Sequence, residues 1–333
     1  MGDVSIYDVA RAAGVHASTV SRTFSNPQAV SAATRRRVLK VAAELGYRVN
    51  PLGQALRRGA STLVPLIVPD ITNPFYGELA DAVAAAAGPR GYQVVLCVTQ
   101  GSEAQTTAFL ASMHSLLSPF AIIAPSTRLD PVSLGTVGLA KRIVVIDRLP
   151  ENLDLPTVVI DNALGVRLAF EHLYALGHRR IVFLSGTVGT FSGQARRAAF
   201  HDLAEAHGIE PTILLGGYGS AAGRSAADQF LAMDPRPTAV MSSNDMAAYG
   251  FMSAVWSSGL RIPEDLSVVG FDGLAIGETF VPPITTIAQP VIELGERAVL
   301  LAERLLATEE IGHEELMPTL LTRASTAPPQ AGS

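Results

Sequence analysis

The stretch Val4-Ser5-Ile6-Tyr7-Asp8-Val9-Ala10-Arg11-Ala12-Ala13-Gly14-Val15-His16-Ala17-Ser18-Thr19-Val20-Ser21-Arg22 decides how this chain is read. Its Ser5-Ile6-Tyr7-Asp8 quartet is a capping box, in which the Ser5 hydroxyl accepts from the Asp8 amide and the Asp8 carboxylate returns to the Ser5 amide. The spacing predicts a helix from there through Ala13. Gly14 permits a sharp turn, Val15 packs against the helix pair, and a second helix begins near Ala17. Asn26-Pro27 ends that helix. A third opens after Ser31, sets Val38, Val41, Ala42 and Leu45 on one face, and stops at Gly46.

Helix, glycine turn, helix is the helix-turn-helix arrangement, whose second helix enters the DNA major groove with its first residues at base edges. Those residues are His16, Ala17 and Ser18, and Arg22 one turn later can offer guanine a bidentate pair of donors. Ser5, Thr19, Ser21 and Asn26 are small polar groups suited to phosphate oxygens. The charge distribution points the same way. Residues 1–60 hold nine Lys and Arg against three acids, a net +6, whereas the other 273 residues carry a net -11. A cationic head on an anionic body fits a polyanion-binding module joined to a separate domain. The same charge on a plain three-helix cap would leave Arg22 merely solvated.

Outward from the head, Asn50-Pro51 opens a short segment ending at Arg57-Arg58, and Gly59-Ala60-Ser61 separates it from the long remainder of the chain. Beyond residue 62, apolar runs alternate with Ala-rich helical stretches: Leu63–Val68, Val94–Val98, Phe120–Ala124, Ile143–Ile146, Val158–Ile160, Ile181–Leu184, Ala239–Met241 and Val268–Phe271. Continuous apolar strands between helices indicate parallel sheets buried on both faces, here in two similar α/β lobes. Ligands in such folds sit outside the carboxyl ends of strands, where Asp70, Asp147, Asp161, Asn244 and Asp272 fall. The expected plan is a headpiece at 1–49, a hinge and linker at 50–61, a ligand-binding core at 62–326 and a disordered tail at 327–333. Lobe 1 takes 62–161 and 290–318, and lobe 2 takes 162–289 and 319–326. The tail has no apolar heptads, so a homodimer is expected rather than a tetramer.

The run Val4 to Val15 with Thr19-Val20-Ser21-Arg22 resembles the headpiece of the lactose-repressor (LacI/GalR) family of bacterial transcription regulators. The resemblance continues through Ser31 to Asn50, Leu56, Asn73-Pro74-Phe75, Asp147-Arg148, Asp161-Asn162, Gly177-His178-Arg179-Arg180-Ile181, Asn244-Asp245 and Val269-Gly270-Phe271-Asp272. It implies a repressor with a DNA-ordered hinge helix and a core similar to periplasmic sugar-binding proteins, bound as a dimer to a partly palindromic operator. It adds Tyr7, Asn50, Gln54 and Arg57 to the DNA-binding set and makes Leu56 a wedge into the minor groove, where an apolar side chain unstacks a base step and bends DNA. Gly53 stands where alanine is usual. Ser118-Pro119-Phe120-Ala121 replaces a common Asp-Gly pair before the third strand. For the effector, the resemblance nominates Asp70, Phe75, Asp147, Arg148, Arg196, Tyr218, Asn244 and Asp272. Carboxylates and amides satisfy paired sugar hydroxyls, Arg196 offers a planar fork, and Phe75 or Tyr218 can stack on a pyranose face. Such a set suits a sugar or glycoside better than a nucleobase.

A soluble sugar-processing α/β enzyme with an accessory DNA-binding head is the rival reading. Its motifs do not appear. Lys40 and Lys141 follow Leu39 and Ala140, which excludes a Gly-Lys phosphate loop. Gly217-Tyr218-Gly219-Ser220-Ala221-Ala222-Gly223 misses dinucleotide spacing by one residue and follows no recognisable strand–helix junction. There is no HExxH, and Ser185-Gly186 lacks the glycine of a nucleophile elbow. His172, His178, His201 and His207 read as surface or helix-end residues. No cofactor is expected. With 333 residues, 48% apolar, 17% charged and a mean hydropathy of +0.29, the chain can fill a core without staples. The single Cys97, inside an apolar run, rules out an intrachain disulfide and a cysteine zinc cluster. The opening residues lack the basic and apolar regions of a leader, which gives the expectation of a cytoplasmic protein and also counts against a periplasmic transport receptor. No apolar run is long enough for a membrane span.

Overall fold

Ser5 and Asp8 close the capping box: Ser5 N donates to Asp8 Oδ2 at 3.0 Å and Asp8 N donates to Ser5 Oγ at 3.4 Å. Helix α1 (Ile6–Ala13) ends at Gly14, whose φ of 63° is the left-handed geometry glycine adopts without penalty. Helix α2 (Ala17–Ser25) and helix α3 (Ala32–Leu45) come next, the latter capped by Ser31 and stopped by Gly46. Val9, Ala10, Ala13, Val20, Val38 and Ala42 form their common core, with Val15 packed at its edge. In this computed structural model the described residues are 4–48, 59–125, 142–148, 155–187, 189–309 and 312–330. Asn50, Gly53, Gln54, Leu56 and Arg57, with the hinge they belong to, lie outside them. Contacts divide the chain into residues 1–61 and 62–333.

The larger unit holds two six-stranded sheets. The first joins β1 (Leu63–Val68), β2 (Gln93–Val98), β3 (Ala121–Ile123), β4 (Ile143–Ile146), β5 (Thr157–Ile160) and β11 (His313–Leu316) in the order β11-β5-β4-β3-β1-β2. The second joins β6 (Ile181–Leu184), β7 (Thr212–Leu214), β8 (Ala239–Ser242), β9 (Ser267–Asp272), β10 (Thr285–Ala288) and β12 (Thr319–Leu321) as β12-β10-β9-β8-β6-β7. The two orders are the same. Each is the doubly wound 2-1-3-4-5 pattern with one extra edge strand, and that pattern places ligands where the order reverses. Helices α4 (Pro74–Ala87), α5 (Glu103–Ser115) and α10 (Val291–Leu306) accompany the first sheet; α6 (Asn162–Ala175), α7 (Phe191–Ala206), α8 (Ser220–Leu231) and α9 (Asp245–Ser257) accompany the second. The chain passes between sheets three times, after β5, after β10 and after β11.

Several expectations need correction. The sheets are not wholly parallel, because β12 runs antiparallel to β10. Residues 327–330 are not a free tail: Ala327 N donates to Ser267 Oγ at 3.0 Å, Ser267 Oγ donates to Ala327 O at 3.0 Å, and Gln330 Nε2 donates to Glu264 O at 3.0 Å. His178 is no surface residue. It is buried, with Nδ1 2.9 Å from Thr238 Oγ1 and Nε2 2.9 Å from Ala327 O, so it fastens that C-terminal strap to the second sheet. Burial pushes its imidazole pKa down, which keeps it neutral there. At the variant loop, Ser118 and Phe120 are buried, and Ser118 Oγ donates to Met113 Sδ at 3.3 Å. Cys97 is buried and its thiol is pushed up by burial, consistent with an inert packing residue. Among the described residues no helix is long and apolar enough to cross a membrane.

Candidate functional site

Helix α2 buries Val20 and Thr23 and turns Ser18, Arg22 and Asn26 outward at one-turn intervals. Ala17, Thr19 and Ser21 are half-buried at the margins of that face, and Tyr7 is exposed on α1. His16 caps α2 with its ring: Nδ1 accepts from Ser18 N at 3.3 Å and lies 2.9 Å from Ser18 Oγ. The Ser5 hydroxyl is used locally, donating to Asp8 Oδ2 at 2.6 Å, and these bonds hold the Asp8 carboxyl below its usual range. Arg22 has no acidic partner among the described residues, whereas Arg11 and Lys40 pair with Asp8 and Glu44.

The larger unit contains a cavity of about 940 Å³ at the carboxyl ends of both sets of strands. All eight nominated residues line it: Asp70 and Phe75 after β1, Asp147 and Arg148 after β4, Arg196 on α7, Tyr218 before α8, Asn244 before α9 and Asp272 at the end of β9. Asp161 does not; it caps α6 by accepting from Leu164 N at 2.7 Å. Asp147 follows the fourth strand of its sheet and Asp272 ends the fourth strand of the other, and both have positive φ, 68° and 130°. Non-glycine residues in such geometry are costly and concentrate where a side chain must be aimed at a ligand.

On the first-sheet side, the Tyr76 hydroxyl donates to Asp147 Oδ2 at 3.4 Å and Arg148 Nε lies 3.6 Å from the same oxygen. Burial and the Asp147 charge push the Tyr76 phenol up, so it keeps its proton and remains a donor. Asp70 is exposed and accepts from Thr72 N and Thr72 Oγ1 at 2.8 and 2.7 Å. Phe75 is buried edge-on to Tyr76, their centroids 5.2 Å apart, and still presents a wall to the cavity.

On the second-sheet side, Arg196 is the organising group. Its Nε donates to Asn162 Oδ1 at 2.7 Å, Nη1 donates to Ser243 O at 2.6 Å and lies 4.0 Å from Asp272 Oδ1, and the guanidinium sits 3.5 Å above the Phe271 ring. Asn244 bridges two elements, accepting from Ala247 N at 3.0 Å and donating to Tyr218 O at 2.9 Å. The Tyr218 hydroxyl lies 3.0 Å from Thr190 Oγ1 and 3.2 Å from Ser192 Oγ. The Gly217–Gly223 stretch does follow a strand–helix junction, between β7 and α8. Gln289 joins the site without any sequence signal. Its Nε2 donates to Asp272 Oδ1 at 2.8 Å, while Gln289 Oε1 and Asp272 Oδ2 are buried without a hydrogen-bond partner among the described residues. Burial pushes the Asp272 carboxyl well above its usual range against the pull of Arg196. Tyr76, Thr187, Thr190 and Ser192 belong to no motif either, and they line the same cavity. Among the described residues no cluster of three or more metal-ligating side chains occurs.

Comparison with known proteins meets this geometry at both ends of the chain. Residues 5–50 match the family of bacterial regulatory proteins, lacI family, and residues 170–326 match the periplasmic binding protein-like domain. The HTH-type transcriptional repressor CytR of Escherichia coli (strain K12) is 34% identical over 326 residues, spanning 96% of this chain and 95% of its own. The chain belongs to the LacI family. It is a DNA-binding transcriptional repressor of that family, and the relatives it matches are repressors rather than enzymes. The fold of the Lac repressor dimer bound to operator and the anti-inducer ONPF superposes with a TM-score of 0.88 at 29% identity, covering 98% of this chain and 100% of that one. A complex of the transcriptional regulator CelR with cellobiose gives a TM-score of 0.73 at 28% identity over 97% and 99% of the two chains.

Proposed function

We propose that this repressor binds a partly palindromic operator as a homodimer in the cytoplasm, and that a sugar or glycoside held between the two lobes sets its operator affinity. The observation that carries the effector class is the pair of buried acceptors, Asp272 Oδ2 and Gln289 Oε1, beside the aromatic walls Phe75 and Tyr218. Buried acceptors call for a ligand that brings donors, and adjacent sugar hydroxyls bring several. An aromatic wall covers the apolar face of a pyranose. Dimerisation is expected from the size of the head: one three-helix unit buries too little DNA for high specificity, and two half-sites supply matched contacts.

The test is a thermal-shift screen of monosaccharides, disaccharides, glycosides and purines, then operator binding with each hit at saturation. A sugar or glycoside that changes operator affinity supports the proposal. Hits confined to purines remove the sugar assignment, and hits that leave operator affinity unchanged remove the switch.

At the reading head, Ala17 and Ser18 are small, which leaves Arg22, in the last turn of α2, as the one long donor of that helix. Arg22→Ala is expected to relax discrimination at one base pair of each half-site by about 1–3 kcal/mol. Competition binding against operators varied at each position checks this. A uniform loss across all sequences would instead make Arg22 a phosphate contact.

A further inference from the structure

The turn that carries Asp272 is held from behind by a carboxylate that does not line the cleft. We propose that Asp245 is the positioning residue of the effector site, fixing by its charge the backbone that aims Asp272, an assignment that rests on the cleft reading above. Asp245 is fully buried at the start of α9. Its Oδ2 accepts from Gly273 N at 3.0 Å and Leu274 N at 2.9 Å, and its Oδ1 accepts from Thr286 Oγ1 at 2.7 Å. One side chain therefore ties the residues after β9 to strand β10.

The surroundings are shaped to admit it. A Cβ on Gly270 would overlap Asp245 Oδ1, so the strand leaves that space open. Gly273 has φ 79°, and a Cβ there would stand 2.6 Å from Ala288 Cα. The chain makes its unusual turn at Asp272 and Gly273 against β10, and two charge-assisted bonds to consecutive amides oppose its relaxation. Asp272 in turn depends on the turn for its place beside Arg196 and Gln289.

The charged and titratable groups around Asp245 are Asp272 at the end of β9, Arg323 beyond β12 and the Tyr249 phenol on its own helix. Burial pushes the Asp245 carboxyl up to about 6, while the Thr286, Leu274 and Gly273 bonds and Arg323 pull it down. The Asp245 charge raises the Asp272 carboxyl, so removing that charge lowers the pKa of Asp272. A proton on Asp245 goes to Oδ1 with the Thr286 hydroxyl reversing, and Oδ2 then accepts from the two amides as a neutral carbonyl, more weakly.

The experiment uses the full-length protein with 13C-labelled aspartate and 15N-labelled glycine and leucine. In the wild type, the Gly273 and Leu274 amide resonances should titrate together with Asp245 Cγ. Asp245→Asn keeps the shape and removes the charge; it should abolish the amide titration and lower the Asp272 Cγ midpoint. Thr286→Val should raise the Asp245 midpoint, because a bond to its charged form is gone. Amides that ignore Asp245 Cγ, or an Asp272 midpoint unmoved in Asp245→Asn, would overturn the proposal. Calorimetric titration with cellobiose and with D-ribose supplies the binding arm, with about a tenfold loss of affinity expected in Asp245→Asn and operator affinity without sugar unchanged. If either sugar binds both proteins equally, the positioning role is overturned and the cleft reading stands. If neither binds the wild type, these sugars are excluded as effectors and the resonance arm alone decides on Asp245.

Discussion

Arg196→Ala is expected to abolish the response to effector while leaving operator affinity in effector-free buffer intact. The guanidinium is 3% exposed and joins Asn162 of α6, Ser243 after β8, Asp272 at the end of β9 and the ring of Phe271. Truncation strands two buried acceptors, Asn162 Oδ1 and Ser243 O, and removes the cation beside Asp272. Breaking a buried ion pair by removing one partner costs about 3–5 kcal/mol, and most of that penalty is the uncompensated charge left behind. Here the charge left behind is Asp272, and losing Arg196 raises its pKa further, so part of the penalty is relieved by protonation. Denaturant unfolding of the larger unit, monitored apart from the headpiece, should show the loss. Operator affinity is expected to survive because the three-helix head has its own core. Arg196→Lys should recover only part of the response, since an ammonium cannot serve Asn162 and Ser243 with a planar fork and stack on Phe271 together. Asp272→Asn keeps the volume and loses the carboxylate; it too should silence the effector with less damage to stability. A normal effector response in Arg196→Ala would remove the cleft as the site of control.

Most of the core strands that are legible in the sequence share one physical cause, burial on both sides, and β2, an apolar run on a sheet edge, is the exception. Strands β1, β3, β4, β5, β6, β8 and β9 lie inside their sheets and read as short, predominantly apolar runs. β11 is His313-Glu314-Glu315-Leu316 on a sheet edge, where one flank faces solvent and charge discourages further pairing. No apolar run marks such a strand. β7 and β12 are edges of three residues each, and Thr285-Thr286-Ile287-Ala288 in β10 hides behind two prolines. The hidden strand explains the hidden ligand group. Gln289 stands one residue past β10, so the strand-end rule that collects Asp272 collects Gln289 as well once β10 is seen. Tyr76 has a different reason. It sits beside Phe75 on the first turn of α4, and only the fold shows that its hydroxyl reaches Asp147, 71 residues away. His178 and the 327–330 strap escape for a third reason: polar and proline-rich residues read as solvated, yet Ser267 and His178 satisfy their backbone from inside the second sheet.

Gly250→Ala is expected to destabilise the larger unit by about 3 kcal/mol and to cost it effector binding, although alanine is the better helix former. A Cβ on Gly250 of α9 would overlap the Ser220 carbonyl oxygen of α8, and one on Gly223 of α8 would overlap the Ala247 carbonyl oxygen of α9. The two helices therefore cross with their backbones touching, and what a methyl group would meet is main chain, which cannot swing aside as a side chain can. Their first turns and caps form one wall of the cleft, Ser220 and Ala221 of α8 with its cap Gly219 and Met246 of α9 with its cap Asn244, bridged by Asn244 Nδ2 to Tyr218 O at 2.9 Å. Driving the helices apart stretches that bridge and carries the Tyr218 hydroxyl away from Thr190 and Ser192. Gly77→Ala in α4 supplies the contrast: it is exposed, its Cβ would meet nothing within 4 Å, and its φ is not in the left-handed range. That substitution should stabilise by up to about 1 kcal/mol, the ordinary gain of alanine over glycine in a helix. The two exchanges are chemically identical and are predicted to have opposite signs, so parallel urea unfolding curves separate backbone contact from helix propensity. If Gly250→Ala unfolds at the same midpoint as Gly77→Ala, α8 and α9 do not touch at their backbones, and Asn244 must be held toward Tyr218 by something other than that crossing.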